Sequence, residues 1–197
     1  MKQVHAFDLG AFISEMANES DRGLALVAAA QIDELLGGVL KSFFCEGPDA
    51  EEKLLEGDKP LSSFSARTET CYALGLIDEH EYREITLVRK VRNEFAHKRY
   101  GLTFMEERVR GFCSTFRSSL PEGPVAKDPR FRFTNAVAQL TSGLIQRDVA
   151  VAEERRKRSD WGPTREGEWE AFEPVPIGEE QQSDMIVSGR PFRRRKK

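Results

Sequence analysis

The sequence predicts an all-α protein: an up-down helical bundle over residues 1–158, followed by an irregular charged tail over 159–197. Apolar residues recur at intervals of three and four along several segments, as the buried face of a helix requires. Between those segments lie Gly- and Pro-containing breaks such as Pro121-Glu-Gly-Pro124. No segment shows the sustained two-residue alternation of a half-buried strand.

The elements follow in order. Val4 to Met16 is a short first helix. Ser20-Asp-Arg-Gly opens a longer one, Leu24 to Phe44, whose apolar face includes Leu24, Ala28, Ile32, Leu36 and Val39. Residues 46–59 form a connection with one helical turn near 51–55. Leu61 to Leu74 is a helix that stops at Gly75, a residue suited to the left-handed conformation past a helix end. Asp78 caps the next helix, with Glu81 three residues on in the pattern of a capping box. Its face runs through Tyr82, Ile85, Val88 and Phe95. Thr103-Phe-Met-Glu106 reads as a second capping box, leading a helix whose inner face is Met105, Val109, Phe112, Cys113 and Phe116. A last helix spans Phe133 to Arg156, and the tail after Ser159 scatters Trp161, Trp169 and Phe172 among Gly, Pro and acids.

Composition bounds the function. The 197 residues carry 30 Lys and Arg against 33 Asp and Glu, a formal charge of -3, but unevenly. Residues 1–80 hold 15 acids and 6 bases, whereas residues 81–120 hold 9 bases and 5 acids. An anionic partner would therefore meet a local patch rather than the whole surface. The basic end, Arg193 to Lys197, reads as a solvated terminus or as a nonspecific phosphate anchor. Three separated cysteines, Cys45, Cys71 and Cys113, form no CxxC pair, and His5, His80 and His97 do not cluster with them. Neither a metal site nor a bound cofactor is expected. No uninterrupted apolar run approaches the roughly 18 residues of a membrane span. The N-terminus also lacks a signal-peptide core, so the expectation is a cytoplasmic protein with reduced thiols. The P-loop, dinucleotide, HExxH and GxSxG signatures are absent.

One hexapeptide carries possible chemistry: Arg92-Asn93-Glu94-Phe95-Ala96-His97, flanked by Arg89, Lys90, Lys98 and Arg99. Arginine offers a permanently charged fork for phosphate, and histidine exchanges protons near neutral pH. Asn93 and His97 share a helical face, while Arg92 lies about 140° from His97 around the axis. One helix therefore does not aim both at one small ligand. Two copies across a twofold axis would bring two Arg/His sets into one cleft. There His97 would act as general acid and base, Asn93 as orienter and Arg92 as phosphate clamp in RNA cleavage without metal. The same residues also complement a helix C-terminus without any further role.

A helix-turn-helix over Thr68 to Leu87, with Gly75 in the turn, is disfavoured. Its groove-facing positions would be Asp78, Glu79, Glu81 and Glu84, four acids against phosphate.

The Arg-Asn-x-x-x-His pattern after an amphipathic helix resembles the signature of the HEPN superfamily of helical, usually dimeric proteins, many of them metal-independent ribonucleases of toxin–antitoxin or antiviral systems. A closer resemblance covers residues 20–120. Leu54-Leu-Glu-Gly-Asp-Lys-Pro-Leu61, Phe64-Ser-Ala-Arg67, Tyr72-Ala-Leu-Gly-Leu-Ile77 and Glu81-Tyr82 look like the mannitol operon repressor family. That resemblance implies a HEPN-like fold and a homodimeric transcriptional regulator, and the acids of the Thr68–Leu87 segment direct its action to a protein partner, the basic tail or RNA. The ribonuclease is the alternative it leaves beside the regulator.

Overall fold

An apolar helix of 23 residues, Asp21–Phe43, forms the axis of the protein in a computed structural model that describes residues 8–45, 53–98, 100–155 and 157. The expectations for residues 1–7, for the turn near 51–52 and for the tail from 159 lie outside the described residues. Helix α1 is Leu9–Asn18 and α2 is Asp21–Phe43. They are followed by α3 (Phe64–Ala73), α4 (Glu79–His97), α5 (Glu107–Ser114), a 3-10 turn (Pro124–Lys127), α6 (Pro129–Ile145) and α7 (Arg147–Glu153). The described residues contain no strand, in keeping with an all-α bundle.

Local chemistry sets most of the helix ends. Ser20 accepts from the Gly23 N–H at 3.0 Å and starts α2. Ser63 does the same for Ala66 at 3.1 Å, so α3 begins at Phe64 rather than Leu61. Beyond α3, Gly75 (φ +70°) donates to Tyr72 O and Leu76 donates to Cys71 O. That pair of bonds is a Schellman motif, and its left-handed residue favours glycine. Asp78 accepts from Glu81 N–H at 2.8 Å while the Glu81 carboxylate accepts from Asp78 N–H at 3.0 Å, the capping box read from the sequence.

Two expectations are corrected. Thr103 to Glu106 is a turn, not a capping box. Thr103 O accepts from Glu106 N–H, and Glu106 pairs with Lys98 at 3.0 Å. The turn drives Phe104 inward, where it is 2% exposed, and leaves Met105 64% exposed. Phe104 N–H donates to the Asp21 carboxylate across 83 positions, a partner that helical spacing cannot foresee. The second correction is the last helix. It starts earlier, at Pro129 behind an Asp128 cap, and breaks at Gln146 into α6 and α7. Beyond the break, the Arg147 guanidinium donates to Leu76 O and to the Glu81 carboxylate.

The core lies between α2 and the helices packed around it: α1, α3, α4, α6 and α7. Length and composition would allow α2 to cross a membrane. Its apolar face is instead packed within the protein: Leu24, Ala25, Ala28, Ala29, Ile32, Leu36, Val39 and Leu40 are buried. A run of tilted aromatic contacts closes the α4 to α6 side. Phe95 meets Phe104 at 5.1 Å, Phe104 meets Phe133 at 5.2 Å, and Phe116 meets Phe133 at 6.2 Å.

Phe133→Ala should cost about 3–5 kcal/mol by leaving a cavity among these rings, read as a lowered urea midpoint with an unchanged slope. Burial pushes the Cys71 and Cys113 thiols up from 9.0 to about 12, whereas Cys45 is half-buried. A rise of that size lowers the thiolate fraction at pH 8 by about a thousandfold. A thiol reagent should therefore label Cys45 alone in the native protein and all three cysteines in denaturant. Rapid native labelling of Cys71 or Cys113 would contradict their burial.

Candidate functional site

Helix α4 buries Glu84, Ile85, Val88, Val91 and Phe95 and turns its opposite face outward. Arg92, Asn93 and His97 are all exposed on it. Arg92 Nη1 donates to Asn93 Oδ1 at 3.1 Å, so the guanidinium reaches round the helix towards the face that Asn93 shares with His97. His97 closes the helix and has no hydrogen-bond partner among the described residues. The structure thus joins Arg92 to Asn93 and leaves His97 apart from both.

The flanking cations diverge. Arg89 Nη2 donates to Ser65 Oγ at 2.5 Å and its guanidinium lies 5.7 Å from the Phe64 ring, so it docks on α3. Lys90 leans the other way, 5.9 Å from the Phe112 ring of α5. Lys98 is neutralised by Glu106, and its carbonyl accepts from Arg22 of α2. Arg99 lies outside the described residues. Glu94, between the motif residues, pairs with Arg108 at 3.0 Å. The three described flanking cations, Arg89, Lys90 and Lys98, thus make contacts with three different neighbours.

A different constellation sits behind the motif, and the sequence did not single it out. Asp33 of α2 takes Arg67 Nη1 at 3.0 Å. The same guanidinium donates to Leu61 O at 2.9 Å and Leu55 O at 3.1 Å, tying α2, α3 and the connection between them. Gly37 lies beside it: a Cβ there would stand 3.4 Å from Arg67 Cζ, an ordinary van der Waals contact. Burial raises the Asp33 carboxyl above its ordinary 3.8, opposed by the charges of Arg67, Arg92 and Arg89. One half-buried acid therefore faces three arginines. Arg67 stands within the Phe64-Ser-Ala-Arg67 run of the resemblance, but its partner is 34 positions away and leaves no local signal.

Glu84 is the other residue that spacing missed. It is 1% exposed and accepts from Arg117 N–H at 3.0 Å, Ser118 N–H at 3.3 Å and Ser118 Oγ–H at 2.6 Å. With Glu81 held by Arg147 at 2.7 Å, the Glu81–Glu84 side of the first turns of α4 faces the protein interior, while Glu79, His80 and Arg83 are exposed. A major-groove helix needs those turns facing outward. Among the described residues no group of three His, Cys, Asp or Glu side chains is placed to hold a metal ion.

Comparison with known proteins bears on the whole arrangement. A family model described as mannitol repressor matches residues 28–142. The mannitol operon repressors of Escherichia coli K12 and of Escherichia coli O6:H1 are each 27% identical over 115 residues, 56% of this chain and 59% of theirs. The match therefore spans less than two thirds of those relatives. A solved chain from the X-ray structure of the MtlR-HPr complex from Escherichia coli superposes with a TM-score of 0.50 at 22% identity. That superposition covers 72% of this chain and 99% of the other, and it shows likeness of fold.

The Asp33 corner has a signed pH dependence. Folding holds the Asp33 proton more tightly than the unfolded chain does. Its contribution to stability is therefore full below 3.8 and is lost as pH rises through the higher folded value. Asparagine cannot titrate. The stability of wild type minus that of Asp33→Asn, from urea midpoints, should fall as pH rises from about 3.5 to about 7. A difference that grows over that range would refute the assignment.

Proposed function

The chain belongs to the mannitol repressor family, and on that footing we propose that it is a regulatory protein of the mannitol-operon-repressor type that acts through a protein contact. The observation that carries this reading is the state of the α3–turn–α4 unit, the best helix-turn-helix candidate in the sequence. Its second helix begins with acids: Glu81 bridges to Arg147, and Glu84 is buried against residues 117–118. Turning those residues out to meet phosphates would leave Arg147 unpaired and break three hydrogen bonds to Glu84. It would also add like-charge repulsion. Regulation through a partner avoids all of this. A protein partner such as HPr is supported by the solved chain that shares the fold, which comes from a complex of MtlR with HPr.

In this reading residues 1–158 are the regulatory domain, residues 159–197 an appended tail, and the working form a homodimer of HEPN-like bundles. The cytoplasm is its compartment, which three free thiols support. The second reading is a metal-independent ribonuclease built from Arg92, Asn93 and His97 across the dimer. In its favour are the exposure of all three residues and the Arg92–Asn93 bond that draws the guanidinium towards the His97 face. Against it stand the docking of Arg89 on α3 and the pairing of Lys98 with Glu106.

One experiment separates the two. The full chain is mixed with HPr from the same genome and run on a sizing column. In parallel, wild type and His97→Ala are overexpressed and total RNA is inspected. The regulatory reading expects co-elution with HPr and intact RNA in both strains. Failure to co-elute overturns the protein contact. RNA cleaved by wild type and spared by His97→Ala replaces the regulator with the ribonuclease.

A further inference from the structure

An aromatic and apolar patch is exposed where α3 ends and α4 begins. Tyr72 is 41% exposed and Leu74 43%. The Tyr82 ring of α4 stacks on Tyr72, with ring centroids 4.4 Å apart and planes 22° apart. Glu69, Asp78 and Glu79 are exposed around them. We propose that this patch is the docking surface for the protein partner, and that it takes a partner face carrying Lys and Arg around an apolar centre. The proposal rests on the protein-contact reading above and says where on the chain that contact is made.

Local chemistry builds the patch. Tyr72 and Ala73 follow Glu69 by three and four residues, so the three share the outer side of α3, while Thr68 and Cys71 are buried on its inner side. The Schellman turn at Gly75 then carries Leu76 and Ile77 into the core and leaves Leu74 outside. The Asp78 cap starts α4 so that Tyr82, in its first turn, meets Tyr72 of α3.

A single exposed apolar residue needs no explanation. Here the rings are in contact and one of them is held. The Tyr82 hydroxyl donates to the Glu69 carboxylate, whose two oxygens lie 3.1 and 3.0 Å away. A ring fixed by a stack and a hydrogen bond loses little freedom when a partner covers it. Tyrosines with an apolar neighbour are also the side chains on which interface energy concentrates.

Charge selects the partner. Glu69, Asp78 and Glu79 form no ion pair among the described residues. The Glu69 carboxylate has acceptor positions left beyond the Tyr82 bond, and Asp78 uses one oxygen on the Glu81 N–H. Arg89 does not neutralise them: it donates to Ser65 Oγ and lies over the Phe64 ring at the start of α3. Nucleic acid or an acidic protein face would be repelled by this rim. A basic face with an apolar centre satisfies both parts, covering the rings and Leu74 while its cations meet the carboxylates at the edge.

The test is titration calorimetry of the full chain with HPr from the same genome. Tyr72→Ala and Leu74→Ala should each weaken binding by about tenfold, whereas Tyr72→Phe, which keeps the stack, should bind within about twofold of wild type. Glu79→Lys should weaken binding about threefold or more, and so should raising sodium chloride from about 50 to about 300 mM. Met105→Ala removes a more exposed apolar side chain from another part of the chain and should leave binding unchanged. Circular dichroism and the melting temperature should match wild type in every variant, because the substituted side chains are exposed. If Tyr72→Ala and Leu74→Ala bind within about twofold of wild type with the fold intact, the surface is overturned and the protein-contact reading stands. An equal loss in Met105→Ala overturns the surface in the same way. Binding that Glu79→Lys strengthens, or that salt leaves unchanged, overturns the basic partner face. Wild type that does not bind HPr overturns the protein contact and the surface with it.

Discussion

Burial of α2 is the constraint on which the rest of the structure depends. Eight of its residues, from Leu24 to Leu40, are buried, and each large one contributes about 1.5–3 kcal/mol when removed from water. A helix this apolar must be covered along its length, and α1, α3, α4, α6 and α7 do so. Covering it brings the acids of α2 towards low dielectric, where an unpaired carboxylate is costly. Two of these acids are half-buried and each is met by an arginine from elsewhere. Asp21 pairs with Arg130 of α6, whose guanidinium also donates to Glu19 O, and Asp33 pairs with Arg67 of α3. The apolar stripe supplies the stabilisation. The two ion pairs fix where along α2 the neighbouring helices dock.

The orientation of α4 follows from this. Once Val88, Val91 and Phe95 face α2 and the aromatic run, the remaining directions are set by helical geometry. Arg89 and Arg92 fall on the α2–α3 side, beside Asp33. Arg83, Lys90 and His97 follow one another at intervals of seven residues and share one side of the helix, with Asn93 beside them. The basic character read along residues 81–120 is therefore divided between the Arg89 and Arg92 side, which faces Asp33, and the Lys90 side, which borders Phe112 of α5.

The candidate site was only partly legible. Exposure of Arg92, Asn93 and His97 could be read from their phase against Val88, Val91 and Phe95. The bond from Arg92 to Asn93 could not, because it depends on the side-chain torsions chosen beside the Asp33 corner. Glu84 reads in sequence as one more exposed acid on a charged helix. It is buried because the chain after α5 delivers two N–H groups and a hydroxyl to it from 33 and 34 positions away. Likewise, helical spacing puts Met105 in the core in place of Phe104. The turn at Thr103, anchored by Phe104 N–H on Asp21, shifts the phase by one residue and exchanges them.

What the sequence determined by itself is the all-α class, the family pattern and the helix ends marked by Ser20, Gly75 and the Asp78–Glu81 box. These act through hydrogen bonds between near neighbours, so the residues that make them lie close together in the chain. What only the tertiary structure decided are the break at Gln146, the exchange of Phe104 for Met105, the burial of Glu84 and the docking of Arg67 on Asp33. Each of these rests on a partner at least 33 positions away, and such a partner is selected by packing around α2, a property of the folded chain that no local window contains.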